Sequence, residues 1–266
     1  MRETTRTTVG ADRIGDLAPL RLEHPADTFA PTPATLIALE AIHRNRGPLV
    51  RVGLDWGSGI GALAILAARL PAVRRVIGLE IESGNVEVAR RNARLNGVQR
   101  ETYFMRSDSY RPVRSGDREL LEETEGDVEF LLANPPASEG DDGFGYRREV
   151  LRGAGRFLRE GGVVFLSVSW QYGEERVERL TGLGPGWAHR GPIATTGWVP
   201  FDQSRANLRS NMETYAGEEE RGGLSYRFRT DPDDERTIGA REALERYREA
   251  GESPLTRWQV HLFERA

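Results

Sequence analysis

At 266 residues, with 38% hydrophobic and 29% charged side chains, the chain has the composition of a globular protein able to bury one sizeable core. It contains no cysteine and all 37 of its basic residues are arginine, which excludes disulfides, thiolate metal sites, a cysteine nucleophile, a Schiff-base lysine and a P-loop lysine. A net charge of −4 argues against non-specific coating of nucleic acid, and no apolar run approaches the roughly 18 residues of a membrane helix.

His24, His43, His189 and His261 have no metal-ligand spacing, so no metal site is expected. The first residues hold no apolar segment of signal-peptide type, and a cytoplasmic protein without membrane association is expected. Residues 1–24 read as irregular. Residues 35–44 carry apolar side chains at helical spacing, and Gly47 and Pro48 end that helix. Residues 50–55 predict a short buried strand followed by a glycine-rich turn. Ile60, Leu63, Ala64 and Ala67 then share one helix face until Pro71 stops it.

The alternation continues with a strand at 75–81, a helix at 85–96 and Gly97 just past its end. Strands follow at 102–106 and 127–133, then a helix at 147–159 and a strand at 162–169. Such spacing implies βαβ units, a parallel sheet and right-handed crossovers. Farther on, the pattern predicts a short helix at 174–180 and a strand within 187–201. Two helices near 204–219 and 238–250 lie in an Arg- and Glu-rich stretch, and a final strand spans 258–264.

Between the first of the alternating strands and its helix stands Asp55-Trp56-Gly57-Ser58-Gly59-Ile60-Gly61. Glycines there allow a tight turn and close approach of backbone to a ligand, beside a helix N-terminus. Gly57, Gly59 and Ala62 also satisfy the dinucleotide pattern G-x-G-x-x-A, and Glu80 suits the ribose of either kind of cofactor. Asp55 separates the two readings in part, because its carboxylate would attract a cationic amino-acid group and repel a pyrophosphate.

The loop resembles motif I of class I methyltransferases, and Glu80-Ile81 with the helix ending at Gly97 resembles their second strand and helix. That resemblance implies a Rossmann-like α/β fold with a mostly parallel seven-stranded sheet and helices on both faces. It also implies S-adenosylmethionine as methyl donor, held by Asp55, Gly57, Gly59, Gly61, Glu80 at the ribose diol, Ile81, Asp108 at the adenine amine, and Asn134. On this reading residues 1–46 are an N-terminal segment and cap helix, and 47–201 the cofactor-binding core. Residues 202–256 are a helical insertion and candidate substrate lid, and 257–266 the last core strand.

Asn134-Pro135-Pro136-Ala137 follows a strand at a place where open α/β sheets put ligand-contacting loops. A planar amide or aryl amine is a poor nucleophile. The Asn134 side-chain oxygen and the Pro135 carbonyl would hold its N–H groups and aim the nitrogen at the methyl group, with Pro136 stiffening the turn. The tetrapeptide resembles the Asn-Pro-Pro-aromatic motif of amine and amide N-methyltransferases. Ala137 stands where that family usually has an aromatic ring, and Phe144, Tyr146 and Phe29 are the candidates to replace it. The segments 25–29, 142–147 and 157–162 resemble the release-factor glutamine methyltransferase group.

The resemblance implies methyl transfer to a side-chain amide of a translation-related protein, with an exocyclic base amine of RNA or DNA as the alternative. Arg205, Arg209, Arg221, Arg227 and Arg229 would serve nucleic acid, but residues 218–220 and 231–235 oppose them with carboxylates. Trp187, Trp198, Trp258, Phe201 and Tyr215 are able to stack a base, although core packing is the expectation for most. A catalytically silent cofactor-binding module is the reading from another class. The sequence leaves the oligomeric state open.

Overall fold

Residues 128–133 are buried along their whole length, as a parallel strand covered on both faces requires, and they mark the centre of the sheet. The computed structural model describes residues 4–25, 31–184 and 186–266. The chain opens with β1 (Thr4–Val9), one helical turn α1 (Ala11–Ile14) and β2 (Leu20–Pro25), followed by α2 (Pro33–Arg44). The alternating core then runs β3 (Arg51–Trp56), α3 (Ala62–Ala67), β4 (Val73–Glu80), α4 (Ser83–Leu95), β5 (Thr102–Asp108) and the two-residue β6 (Arg111–Pro112). It continues through α5 (Ser115–Glu122), β7 (Val128–Ala133), α6 (Gly145–Phe157), β8 (Leu158–Ser167), α7 (Gly173–Leu180) and β9 (Trp187–Thr195). Last come β10 (Val199–Pro200), α8 (Ala206–Glu220), α9 (Ala240–Ala250), β11 (Leu255–Thr256) and β12 (Gln259–Arg265).

The central sheet has the order β6-β5-β4-β3-β7-β8-β12-β9. Strands β5, β4, β3, β7 and β8 are mutually parallel, while β12 runs antiparallel to both β8 and β9. These are the seven strands expected, and β6 adds a short antiparallel edge. Helices α2, α3 and α4 contribute Leu39, Leu66 and Ala89 to the core on one face. On the other, α6, α8 and α9 contribute Leu151, Met212 and Leu244. Helix α5 escaped the sequence reading because it is polar apart from its leucines, of which Leu121 is buried.

Residues 1–24 are not irregular where described. β1 and β2 form an antiparallel hairpin in register Thr5↔His24 to Val9↔Leu20. What stabilises it lies some 70 residues away. Asn92 Oδ1 accepts from the Glu23 N–H at 2.8 Å and its Nδ2 donates to the Glu23 carbonyl at 3.0 Å; Asn96 repeats the pattern on Arg21. One helical turn apart, the two asparagines act as a surrogate strand. In the insertion, Tyr215, Tyr226 and Phe228 share one buried cluster with Phe157 of α6 and Leu166 of β8.

Candidate functional site

The winding of the sheet reverses at β3, which lies between β4 and β7, and ligands bind such sheets outside the carboxyl ends of the strands at that point. Register brings the residues together. Trp56 pairs with Leu79 on one side and with Ala133 on the other, so Gly57, Glu80 and Asn134 leave three adjacent strands at one level.

Gly57 and Gly59 adopt left-handed φ values of 66° and 53°, which disfavour any side chain, and a Cβ built on either would meet nothing within 4 Å. They therefore border open space. Gly61 differs: a Cβ there would come within 2.8 Å of the Phe104 ring, so this glycine serves the packing of α3 rather than the mouth of the turn. Glu80 closes the turn, its Oε2 accepting from the Gly59 N–H at 2.7 Å and its Oε1 from the Glu82 N–H at 2.9 Å. Ile81 beside it is 54% exposed, an apolar surface left open among the described residues. Asp108 is exposed at the end of β5, where it pairs with Arg111 of β6. An open turn, a carboxylate and an exposed apolar side chain fit the amino-acid, ribose and adenine portions of S-adenosylmethionine.

The role expected of Asp55 needs correction. The residue is 1% exposed, and its Oδ2 accepts from the Ala64 N–H inside α3 at 3.0 Å. Burial pushes its carboxyl up to about 8, the Ala64 N–H opposing the rise and the nearby Glu80 charge adding to it. A group that is mainly protonated at neutral pH and turned into a helix does not present a standing negative charge to a ligand.

Asn134 is half-buried, and its side chain makes no hydrogen bond to any described residue. The Pro135 carbonyl, expected to face the acceptor, already accepts from Arg147 Nη2 at 3.1 Å, and the Pro136 carbonyl accepts from Arg147 Nη1 at 3.2 Å. Ala137 is half-buried in the same loop. Phe144 is corrected as a replacement aromatic: it is fully buried, its ring 4.9 Å from that of Tyr172, and unavailable to a substrate. Tyr146 remains available, partly exposed and 6.0 Å from the Trp56 ring. Phe29 lies outside the described residues.

Beside the Asn-Pro-Pro loop runs a groove of about 620 Å³ between the end of β5 and α6, lined among others by Tyr110, Arg111, Glu139, Tyr146, Glu149 and Arg152. No local pattern announces this groove, because its walls come from three separate segments. Trp187, Phe201 and Tyr215 are buried in the core. Trp198 carries the guanidinium groups of Arg229 and Arg257 at 4.4 and 4.1 Å.

A doubly wound sheet with this turn, an acidic residue closing it and a loop after the fourth parallel strand is the class I methyltransferase fold. Residues 32–181 match the family model of the methyltransferase small domain, and the chain belongs to that family. It is 30% identical over 172 residues to a 4-amino-L-phenylalanine/4-methylamino-L-phenylalanine methyltransferase of Streptomyces pristinaespiralis, a match that covers 57% of this chain and 54% of that protein. It is likewise 30% identical over 169 residues to a release factor glutamine methyltransferase of Mycobacterium leprae, covering 54% of this chain and 55% of the relative. The chain spans about half the length of these curated relatives. Among solved structures, a 16S rRNA N2 methyltransferase of T. thermophilus in complex with AdoMet and guanosine superposes with a TM-score of 0.51 at 25% identity, covering 70% of this chain and 47% of that one. The family is one of methyltransferases, and the rRNA neighbour holds AdoMet.

Proposed function

We propose that the chain transfers a methyl group from S-adenosylmethionine to a side-chain amide nitrogen of a protein. The observation that carries this reading is the Asn134 side chain, an amide without a hydrogen-bond partner among the described residues and level with the glycine turn. The bound donor supplies an electrophilic methyl on a sulfonium. Gly57 and Gly59 would leave room for its amino-acid end, Glu80 would hold the ribose hydroxyls, Ile81 would cover one adenine face, and Asp108 would accept from the adenine amine.

The chain's remaining work is positioning. Asn134 Oδ1 accepts one N–H of the acceptor, and the second lone pair of the Pro135 carbonyl accepts the other. Held this way, the nitrogen would have its developing lone pair aimed at the methyl; the N–C bond would form as the S–C bond breaks, the electron pair staying on the sulfur of neutral S-adenosylhomocysteine, and one amide proton would leave to solvent. Charge in the adjoining groove supports a polypeptide acceptor: Glu139, Asp141 and Glu149 oppose a phosphodiester, whereas Arg111 and Arg152 balance them for a chain of mixed charge. In the insertion, Arg221 is paired with Glu218 and Arg227 with Glu174. The release-factor relatives point the same way.

A base amine is the second reading, favoured by the likeness to the rRNA N2 methyltransferase holding guanosine. Transfer of radiolabelled methyl from S-adenosylmethionine into cell extract, divided between protease and nuclease digestion, tests the two. Label released by protease is expected. Label released by nuclease would establish the base-amine reading, and label confined to small molecules would exclude both.

A further inference from the structure

Arg147 stands in the first turn of α6. It is 4% exposed. Its Nη2 donates to the Pro135 carbonyl at 3.1 Å and its Nη1 to the carbonyls of Pro136 and Gly143 at 3.2 and 3.3 Å. Its Nε donates to the Ser167 carbonyl at the end of β8 at 3.0 Å. The guanidinium lies over the Tyr172 ring at 4.8 Å and near the Phe144 ring at 5.6 Å. Among the described residues no carboxylate pairs with it.

Taking a guanidinium out of water costs several kcal/mol, and here only backbone carbonyls and ring faces offset the cost. Those carbonyls belong to the loop that faces the acceptor. Two consecutive prolines have no N–H, so the Pro135 and Pro136 peptides can be gripped only through their carbonyls. A rigid fork of donors grips both at once and ties them to β8, which no single ammonium matches.

Arg147 is itself held from behind. Tyr172 Oη donates to the Gly143 carbonyl at 3.0 Å and lies 2.8 Å from Tyr215 Oη. Tyr226 Oη donates to the Asp142 carbonyl at 2.6 Å, and the Tyr215 and Tyr226 rings stack at 4.2 Å. Tyr215 and Tyr226 come from the insertion.

We infer that Arg147 is a positioning residue for methyl transfer: it fixes the Pro135 and Pro136 peptides and thereby the direction of the Asn134 amide, and the insertion holds it in place. The inference rests on the reading of Asn134 as the acceptor-holding group. Arg147 touches neither donor nor acceptor.

The test compares wild type, Arg147→Lys, Arg147→Met and Asn134→Ala in the full chain. Three quantities are read: the initial rate of labelled methyl transfer into extract at saturating S-adenosylmethionine, S-adenosylhomocysteine affinity by calorimetry, and hydrogen exchange by peptide. Lysine keeps the buried cation should methionine prevent folding. For Arg147→Lys the expected result is a rate lowered about tenfold or more, with cofactor affinity within about threefold of wild type. Exchange should quicken in peptides covering 137–146 and not in those covering 57–66, and Arg147→Met, where it folds, should be slower still. A wild-type rate in Arg147→Lys beside a crippled Asn134→Ala would overturn the role of Arg147 alone. Wild-type rates in both would overturn the reading of Asn134 and this inference with it. Loss of rate and cofactor affinity together, with faster exchange throughout, would make Arg147 a general scaffold residue and overturn its positioning role.

Discussion

The residues around the turn divide by what their local sequence reveals. Gly57, Gly59, Glu80 and Asn134 were legible because each is specified by a strand end and a short motif, and the register of β3, β4 and β7 then brings them level. The burial of Asp55, Phe144 and Arg147 was not legible, since it depends on α3, Tyr172 and the insertion, which no local pattern announces. Asp55 yields a pH prediction. Its carboxyl is raised from 3.8 to about 8 by burial, so the folded state binds a proton that the unfolded chain releases in that interval. The stabilising effect of that proton is complete below about pH 4 and is lost as pH rises through about 8. Asp55→Asn keeps an oxygen to accept from the Ala64 N–H and carries no charge. It should melt at a higher temperature than wild type at pH 8 and lose most of that advantage at pH 5; an equal advantage at both values would contradict the buried, protonated carboxyl. Asn134→Ala belongs to the same scale. It should slow methyl transfer ~100-fold with little change in S-adenosylhomocysteine affinity, and retention of the wild-type rate would remove Asn134 from the chemistry.

At the scale of elements, the alternation of strands and helices was readable because hydrophobic period and glycine punctuation are local. The N-terminal hairpin was not, because its stabilising partners are two polar side chains, Asn92 on α4 and Asn96 at its C-cap. Asn92 is fully buried, and besides holding both backbone groups of Glu23 it donates to the Ile60 carbonyl at 3.0 Å, in the glycine turn itself. Helix α4 thus connects the hairpin to the cofactor turn. Asn92→Ala leaves buried backbone groups unpaired and should cost about 2–4 kcal/mol of stability, read from chemical denaturation. It should also weaken S-adenosylhomocysteine binding severalfold, because the Ile60 carbonyl loses its restraint. A stability loss with unchanged affinity would mean that the turn holds its shape without α4. On the opposite face, Tyr215→Phe removes only the hydroxyl beside Tyr172 Oη. A stability loss of about 1 kcal/mol is expected, together with a transfer rate that falls more than cofactor affinity does.

Over the whole molecule, the question is whether residues 202–256 move as a lid or are part of the core. A lid is drawn from the weakly packed end of a structure and opens at low free energy. This segment has the opposite character. Met212, Tyr215, Phe228 and Ala240 are almost fully buried in the cluster that contains Phe157 and Leu166, and β11 pairs with β10 just ahead of the final core strand. Phe228 also exchanges backbone hydrogen bonds with Ile238, both at 2.9 Å, closing the segment on itself. Its apolar side chains cannot leave that cluster without exposing the helix that carries Arg147. The full chain is therefore expected to unfold in one calorimetric transition, with equal calorimetric and van't Hoff enthalpies. S-adenosylhomocysteine should raise the midpoint of that single transition as a ligand that binds only the folded state. Hydrogen exchange within α8 should be as slow as within α6. A separate low-temperature transition, or rapid exchange confined to 206–250, would instead identify the segment as a lid, and the buttressing of the Asn-Pro-Pro loop through Tyr215 and Tyr226 would then hold only while that lid is closed.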